Sequence, residues 1–355
     1  MKNKNIIIGL VILIVIILVG GFFVHQMNLK KAEKVKIEAE KKMEEKLKVE
    51  AAKHLTAGLI GSENTVVREG EPYMENGAFC IDDRYGAVKD YNIRGKVDTS
   101  KPGNYEISYD FVSDDAEKTV KRSVKVIPKD KFKANEDGVA VLMYHYVYTD
   151  QDFPENINGN YIKDTDLEAQ LQYLTENNYY FPGFAELRAY VDGKISLPEN
   201  SVILTFDDGQ YGFLNYGIPL LDKYKIPSTA FLIGVNEGER KLMNYHSSYV
   251  NYQNHSYDMH HGGGTIGHGG IISAMTKKEI IADLQKNMNL TGTDDAFAYP
   301  YGDVTDDAET ALREVEILCS FTTENRKIHI GDSFTRLPRV RVQGTASLTE
   351  YIAGL

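Results

Sequence analysis

From Gly138 onward, short apolar runs alternate with segments of helical spacing, and this alternation limits the fold more than any other feature of the chain. Val139–Tyr144, Ser201–Thr205 and Ser228–Ile233 have the composition of buried strands. Between and after them, Asp166–Asn177, Ile218–Tyr224 and Lys277–Leu290 carry apolar residues at helical spacing. Strands that alternate with helices pair in parallel and are covered by those helices, as an α/β barrel or a doubly wound sheet. In either arrangement the chemistry collects at the carboxyl ends of the strands.

The residues before Gly138 follow other rules. Over 57–128 the runs are short and alternating: Tyr105, Ile107 and Tyr109 take every second position, as do Val120, Arg122, Val124 and Val126. A turn cluster, Asp98-Thr-Ser-Lys-Pro-Gly103, precedes the Tyr105 strand. These features predict a small all-β domain, joined by a polar linker at 129–137 to a domain at 138–355. Ile6–Val24 passes nineteen residues without a charge, roughly 28 Å as a helix and enough to span a bilayer. Residues 1–28 are therefore expected to be a membrane anchor and 29–56 a Lys/Glu/Ala-rich helical stalk. Its thin apolar stripe (Val35, Ala39, Met43, Leu47, Ala51) suffices at most for a weak dimer. The competing reading is a cleavable signal peptide, with Lys2 and Lys4 as its basic start. The apolar run is longer than such a peptide needs, and no small-x-small site follows it.

Charge and cysteine content exclude several functions. The first 50 residues hold ten lysines and six glutamates, a net +4, so the other 305 carry −15 of the total −11. An acidic folded portion repels a phosphate backbone, which argues against nucleic-acid binding. With only Cys80 and Cys319, there is no disulfide framework and no cysteine-based zinc site. A metal would need histidines and carboxylates.

Three polar clusters stand where those ligands would. The strand at Val202–Leu204 runs into Thr205-Phe-Asp-Asp-Gly209, whose adjacent carboxylates, Asp207 and Asp208, can point to different tasks. The same residues would also serve as an ordinary turn. Asn254-His-Ser-Tyr-Asp-Met-His-His261 gathers three of the nine histidines. His255 and His260 are five apart and would not share a helix face, so they converge only from an irregular loop. The third cluster is Phe297-Ala-Tyr-Pro-Tyr-Gly-Asp303, where Pro300 interrupts the strand and leaves the Tyr301 and Gly302 amides to face a ligand.

In this order the clusters resemble the polysaccharide deacetylases of carbohydrate esterase family 4, the NodB homology domain. The five-residue His spacing, and a third cluster without its usual arginine, are similar to the branch acting on poly-β-1,6-N-acetylglucosamine. Upstream, Pro-Gly-x-Tyr-x-Ile-x-Tyr around Tyr105 resembles bacterial immunoglobulin-like modules. The resemblance implies a distorted (β/α) barrel of the NodB type. It also implies Asp207 as general base, Asp208, His255 and His260 as ligands of a divalent metal, Zn²⁺ by donor type, and the Tyr301 N–H as oxyanion donor. No Leu-x-His sequence follows residue 302. The permuted branch takes its acid from the first strand, where His145 stands, and His145 is assigned that role instead of the late His329. Arg336, Arg339 and Arg341 alternate on a late strand; one of them could orient Asp207, but surface salt bridging is the expected use.

The expected function is therefore a metal-dependent hydrolase that removes N-acetyl groups from N-acetylglucosamine units of a cell-surface polysaccharide, either poly-N-acetylglucosamine or peptidoglycan. The alternatives are an O-acetyl polysaccharide esterase and a catalytically silent cell-wall glycan-binding protein. The substrate's location implies a single-pass membrane protein with its catalytic domain outside. Lys30, Lys31, Lys34 and Lys36, just after the span, argue the other way.

Overall fold

The structure is a computed structural model that describes residues 2–355. Helix α1 (Lys2–Ala51) is one uninterrupted element. Anchor and stalk were expected as separate segments. No Gly or Pro interrupts the chain after the apolar run, so nothing breaks the helix between them. It is long and apolar enough to cross a bilayer.

Residues 54–355 form the second compact unit. Its first part is the β module: β1 (Leu55–Leu59), β2 (Asn64–Arg68), β3 (Ala78–Asp82), β4 (Gly86–Ala87), β5 (Tyr91–Arg94), β6 (Gly103–Ser113) and β7 (Ala116–Ile127). They make two sheets, ordered β1-β3-β4 and β2-β7-β6-β5. The period-two pattern sets the packing. Ile107, Tyr109 and Phe111 of β6 are buried, as are Arg122, Val124 and Val126 of β7. A charged residue thus occupies an inward-facing position, and Arg122 is wholly buried.

The second part contains β8 (Ala140–Tyr144), β9 (Tyr146–Tyr148), β10 (Tyr161–Lys163), β11 (Val202–Phe206), β12 (Ser228–Leu232), β13 (Val250–Asn254), β14 (Ala296–Ala298), β15 (Cys319–Phe321) and β16 (Val340–Arg341). Seven of these pair in parallel in the order β15-β14-β13-β12-β11-β8-β16. The sheet curls on itself. Leu337, just ahead of β16, exchanges backbone hydrogen bonds with Ser320 and Thr322 on either side of Phe321, while β16 lies against β8. One face of the sheet (Leu142, Leu204, Ala230) packs on α2 (Asp164–Glu176) and on α4 (Ile218–Tyr224). The other face (Val141, Ile203, Phe231) packs with α3 (Phe184–Val191). The remaining helices are α5 (Gly238–Asn244), α6 (Lys277–Thr291), α7 (Asp306–Glu314) and α8 (Leu348–Ala353). Local chemistry sets their ends. Thr276 and Glu279 form a reciprocal capping box at the start of α6, and left-handed Gly292 terminates it.

Every strand of the curled sheet points the same way, so β8, β11, β13 and β14 deliver the residues that follow them to one rim. Those residues are His145, Asp207, His255 and the turn at Tyr301.

Candidate metal centre

Asp207 and Asp208 leave β11 in opposite directions because the backbone turns between them. Asp208 adopts a left-handed conformation (φ 71°), followed by Gly209 (φ 57°). A non-glycine residue in that region is strained, and such residues persist where the surroundings enforce them. Asp207 turns inward and is buried, whereas Asp208 meets the two histidines.

His255 is the first residue after β13, and Ser256 (φ 69°) opens an irregular loop. Met259, at the position the commoner spacing would use, goes into the core beside Ile272 and Phe297. The next residue, His260, faces the site. His255 Nε2 and His260 Nε2 each lie 3.3 Å from Asp208 Oδ1, and the three donor atoms fall within 4.8 Å of one another. His255 Nδ1 lies 2.8 Å from the Ala298 carbonyl oxygen. A carbonyl only accepts, so Nδ1 carries the proton and Nε2 presents a lone pair. The other Asp208 oxygen, Oδ2, accepts a hydrogen bond from the Tyr146 hydroxyl at 2.9 Å. Two imidazole nitrogens and one carboxylate oxygen converging on a point match the donor set of a tetrahedral catalytic site with one open position.

Asp207 makes no direct contact with that trio. Arg339, wholly buried, donates from both terminal nitrogens to its two carboxylate oxygens at 2.7 Å. The same guanidinium donates to the Thr322 carbonyl and the Thr205 hydroxyl. Burial pushes the Asp207 carboxyl up, the Arg339 charge and hydrogen bonds push it down, and the net direction is down. Arg339 was expected to make a surface salt bridge; instead it is buried immediately ahead of β16, and its charge pairs with Asp207. The other two arginines of this segment do otherwise: Arg336 pairs with Glu309, and Arg341 of β16 donates to Asn160 Oδ1. The cluster of three arginines was the available signal. It did not say which register faces inward.

His145 sits at the carboxyl end of β8 with Nε2 3.9 Å from Asp207 Oδ2. Burial depresses its pKa, and the two carboxylates only partly offset that. His329 lies elsewhere. It is exposed, next to Ile328, whose backbone pairs with Val139 at the start of β8, the far end of that strand from the site. Tyr301 is left-handed (φ 62°) with its ring 4.6 Å from that of His260. Of the two amides expected to face a ligand, Gly302 N–H instead donates to the Tyr299 carbonyl at 2.9 Å and closes the turn. The oxyanion expectation narrows to Tyr301.

A curled parallel sheet with an Asp-Asp pair, two histidines and an interrupted strand on one rim is the architecture of a polysaccharide deacetylase domain. Residues 194–319 match the family model described as polysaccharide deacetylase, and residues 57–126 match the bacterial surface protein Ig-like domain. Along the chain, a region that matches the polysaccharide deacetylase model thus follows one that matches the Ig-like model. Among curated proteins it is similar to the poly-β-1,6-N-acetyl-D-glucosamine N-deacetylase of Staphylococcus epidermidis, 26% identical over 244 residues, which cover 61% of this chain and 83% of the relative. The protein of the same name from Staphylococcus aureus is 25% identical and covers 62% and 83%. Among solved structures, a de-N-acetylase from Aggregatibacter actinomycetemcomitans shares the fold, with a TM-score of 0.50, 20% identity, and coverage of 62% of this chain and all of that one.

Proposed function

We propose that this chain is a divalent-metal-dependent N-deacetylase acting on N-acetylglucosamine units of a cell-surface polysaccharide, with poly-β-1,6-N-acetylglucosamine as the favoured polymer. The observation that carries the reading is the convergence of Asp208, His255 and His260 donor atoms beside a buried, arginine-bound Asp207. The names of the relatives point to the polymer. Zn²⁺ suits a His₂Asp donor set, and such an ion supplies Lewis acidity toward the amide carbonyl and acidifies water.

The chain's own residues do the rest. Asp207, kept ionised by Arg339, takes a proton from the attacking water. The new C–O bond forms first and gives a tetrahedral oxyanion; its collapse breaks the C–N bond of the acetamide, giving acetate and a free amine. The Tyr301 N–H donates to the developing oxyanion; loss of one such donor typically costs ~10²–10³ in rate. His145 delivers a proton to the departing nitrogen, which leaves poorly as an anion. Residues 1–28 anchor the protein, 29–56 form the stalk, 57–128 the spacer module, 129–137 the linker and 138–355 the catalytic domain, held outside the membrane where the polymer is.

The test is acetate release by the full chain from a β-1,6-linked N-acetylglucosamine oligomer, an N-acetylated peptidoglycan fragment and an O-acetylated xylan. Each is assayed after chelation and again after Zn²⁺ is restored. Zinc-dependent release from the first substrate is expected. Release from the xylan alone would make the protein an O-acetyl esterase, and none from any substrate would leave a glycan-binding protein.

A further inference from the structure

The two oxygens of Asp208 have different neighbours. Oδ1 faces both histidine Nε2 atoms at 3.3 Å, and Oδ2 accepts from the Tyr146 hydroxyl at 2.9 Å. Tyr146 is held from three directions. Its backbone begins β9 and pairs with Tyr161 of β10, its N–H donates to the Asn160 carbonyl, and its ring lies 4.7 Å from that of Tyr161.

We infer that Tyr146 is a positioning residue for the metal: by engaging Asp208 Oδ2 it restricts the carboxylate to binding through Oδ1 alone. This rests on the metal-dependent reading above and goes beyond it. A carboxylate free to rotate must be ordered by the cation as it binds, and it can also swing its second oxygen into another coordination position. A hydroxyl donated to one oxygen removes both effects. It holds Oδ1 aimed at the two histidine nitrogens before an ion arrives, so binding need not order the carboxylate, and a coordination position would stay open for substrate oxygen. Groups that orient a ligand in this way typically change metal affinity by ~10–100-fold when removed.

Tyr146→Phe keeps the ring and deletes only the hydroxyl. Tyr161→Phe makes the same deletion on the neighbouring ring, which donates nothing to Asp208, and serves as the packing control. Zn²⁺ affinity is read by competition with a chromogenic chelator on the full chain, and the Co²⁺ form is followed by its visible absorption. Tyr146→Phe is expected to weaken Zn²⁺ binding by ~10–100-fold and to shift the Co²⁺ bands, whereas Tyr161→Phe does neither. Unchanged affinity and bands in Tyr146→Phe would overturn the inference. So would an equal loss in both variants, since packing would then account for it. Asp208→Ala separates this from the parent reading: if it too binds Zn²⁺ like wild type, the metal centre itself is wrong, whereas loss in Asp208→Ala with none in Tyr146→Phe removes only the role of the tyrosine.

Discussion

Two arginines in this protein are completely buried, and they are used in opposite ways. Arg122, in the β module, donates to the carbonyl oxygens of Ile60, Ser62 and Gly77 and to the hydroxyls of Thr65 and Tyr109. All five of its N–H donors are engaged, none directly with a charge. Next to it Asn76 of the module grips Glu186 of α3 through both side-chain and backbone bonds, so this cluster seams the module to the barrel. Arg339 binds a carboxylate through both oxygens, and that carboxylate stands beside three ligand atoms whose lone pairs meet at a point with no protein donor to receive them. A buried polar cluster that satisfies itself is structural. One whose acceptors converge without a donor is built for a guest.

The comparison can be broken in four places. The largest effect is expected at the ligands. Asp208→Ala, His255→Ala and His260→Ala should each lose the metal by elemental analysis and fall to background turnover while melting as folded proteins, because three ligands leave no redundancy. Next come the proton-transfer groups. Asp207→Asn should keep its metal and lose ~10²–10⁴ in kcat. His145→Ala should lose a similar factor together with the alkaline limb of the pH–rate profile. Burial lowers the His145 pKa from the usual 6.5, so in kcat/KM that limb should begin below pH 6.5; a limb above it would contradict the assignment. His329→Ala should change nothing.

The arginines themselves give the third test. Arg339→Met strands a buried carboxylate and should cost ~3–5 kcal/mol along with most of the turnover. Arg122→Met should lower Tm, on the order of 10 °C, yet leave kcat per folded molecule intact. A large loss of kcat in Arg122→Met would erase the distinction between the two clusters.

The smallest effect concerns Asp295, a half-buried carboxyl that forms no ion pair among the described residues. Burial raises its pKa from 3.8 to about 6, with Gln253 giving only partial relief. Its folded pKa lies above its unfolded one, so its contribution to stability is complete below pH 3.8 and is lost as pH rises through 6. Asp295→Asn should therefore gain stability over wild type across that interval, by up to ~3 kcal/mol above it, measured by urea unfolding at several pH values.

How much of this was legible beforehand depended on whether a residue's role is local. The strands at β8, β11 and β12 and the helices α2, α4 and α6 follow from apolar spacing, which is a property of neighbouring residues. Helices α3, α5 and α7 and strands β13 and β15 were not identified. β13, Val-Asn-Tyr-Gln-Asn, is fully buried but polar at alternate positions, because Asn251, Gln253 and Asn254 bond to the neighbouring strands, to Asp295 and to α6. Composition alone cannot distinguish such a strand from a loop. In the site, Asp208, His255 and His260 stand in short segments whose pattern was visible. Arg339 and Tyr146 act across 132 and 62 residues of chain respectively, and only the closed sheet brings them to their partners.

That closure has a consequence in time. The segment Leu337–Arg341 joins β15 to β8, and it carries Arg339. During synthesis Asp207, both metal-site histidines and His145 leave the ribosome well before this arginine does. Until it arrives, Asp207 lies in an unfinished sheet without the guanidinium that grips both of its carboxylate oxygens. The segment that completes the sheet also delivers this charge, so a chain cut short before Arg339 would lack both the closure and the partner of Asp207.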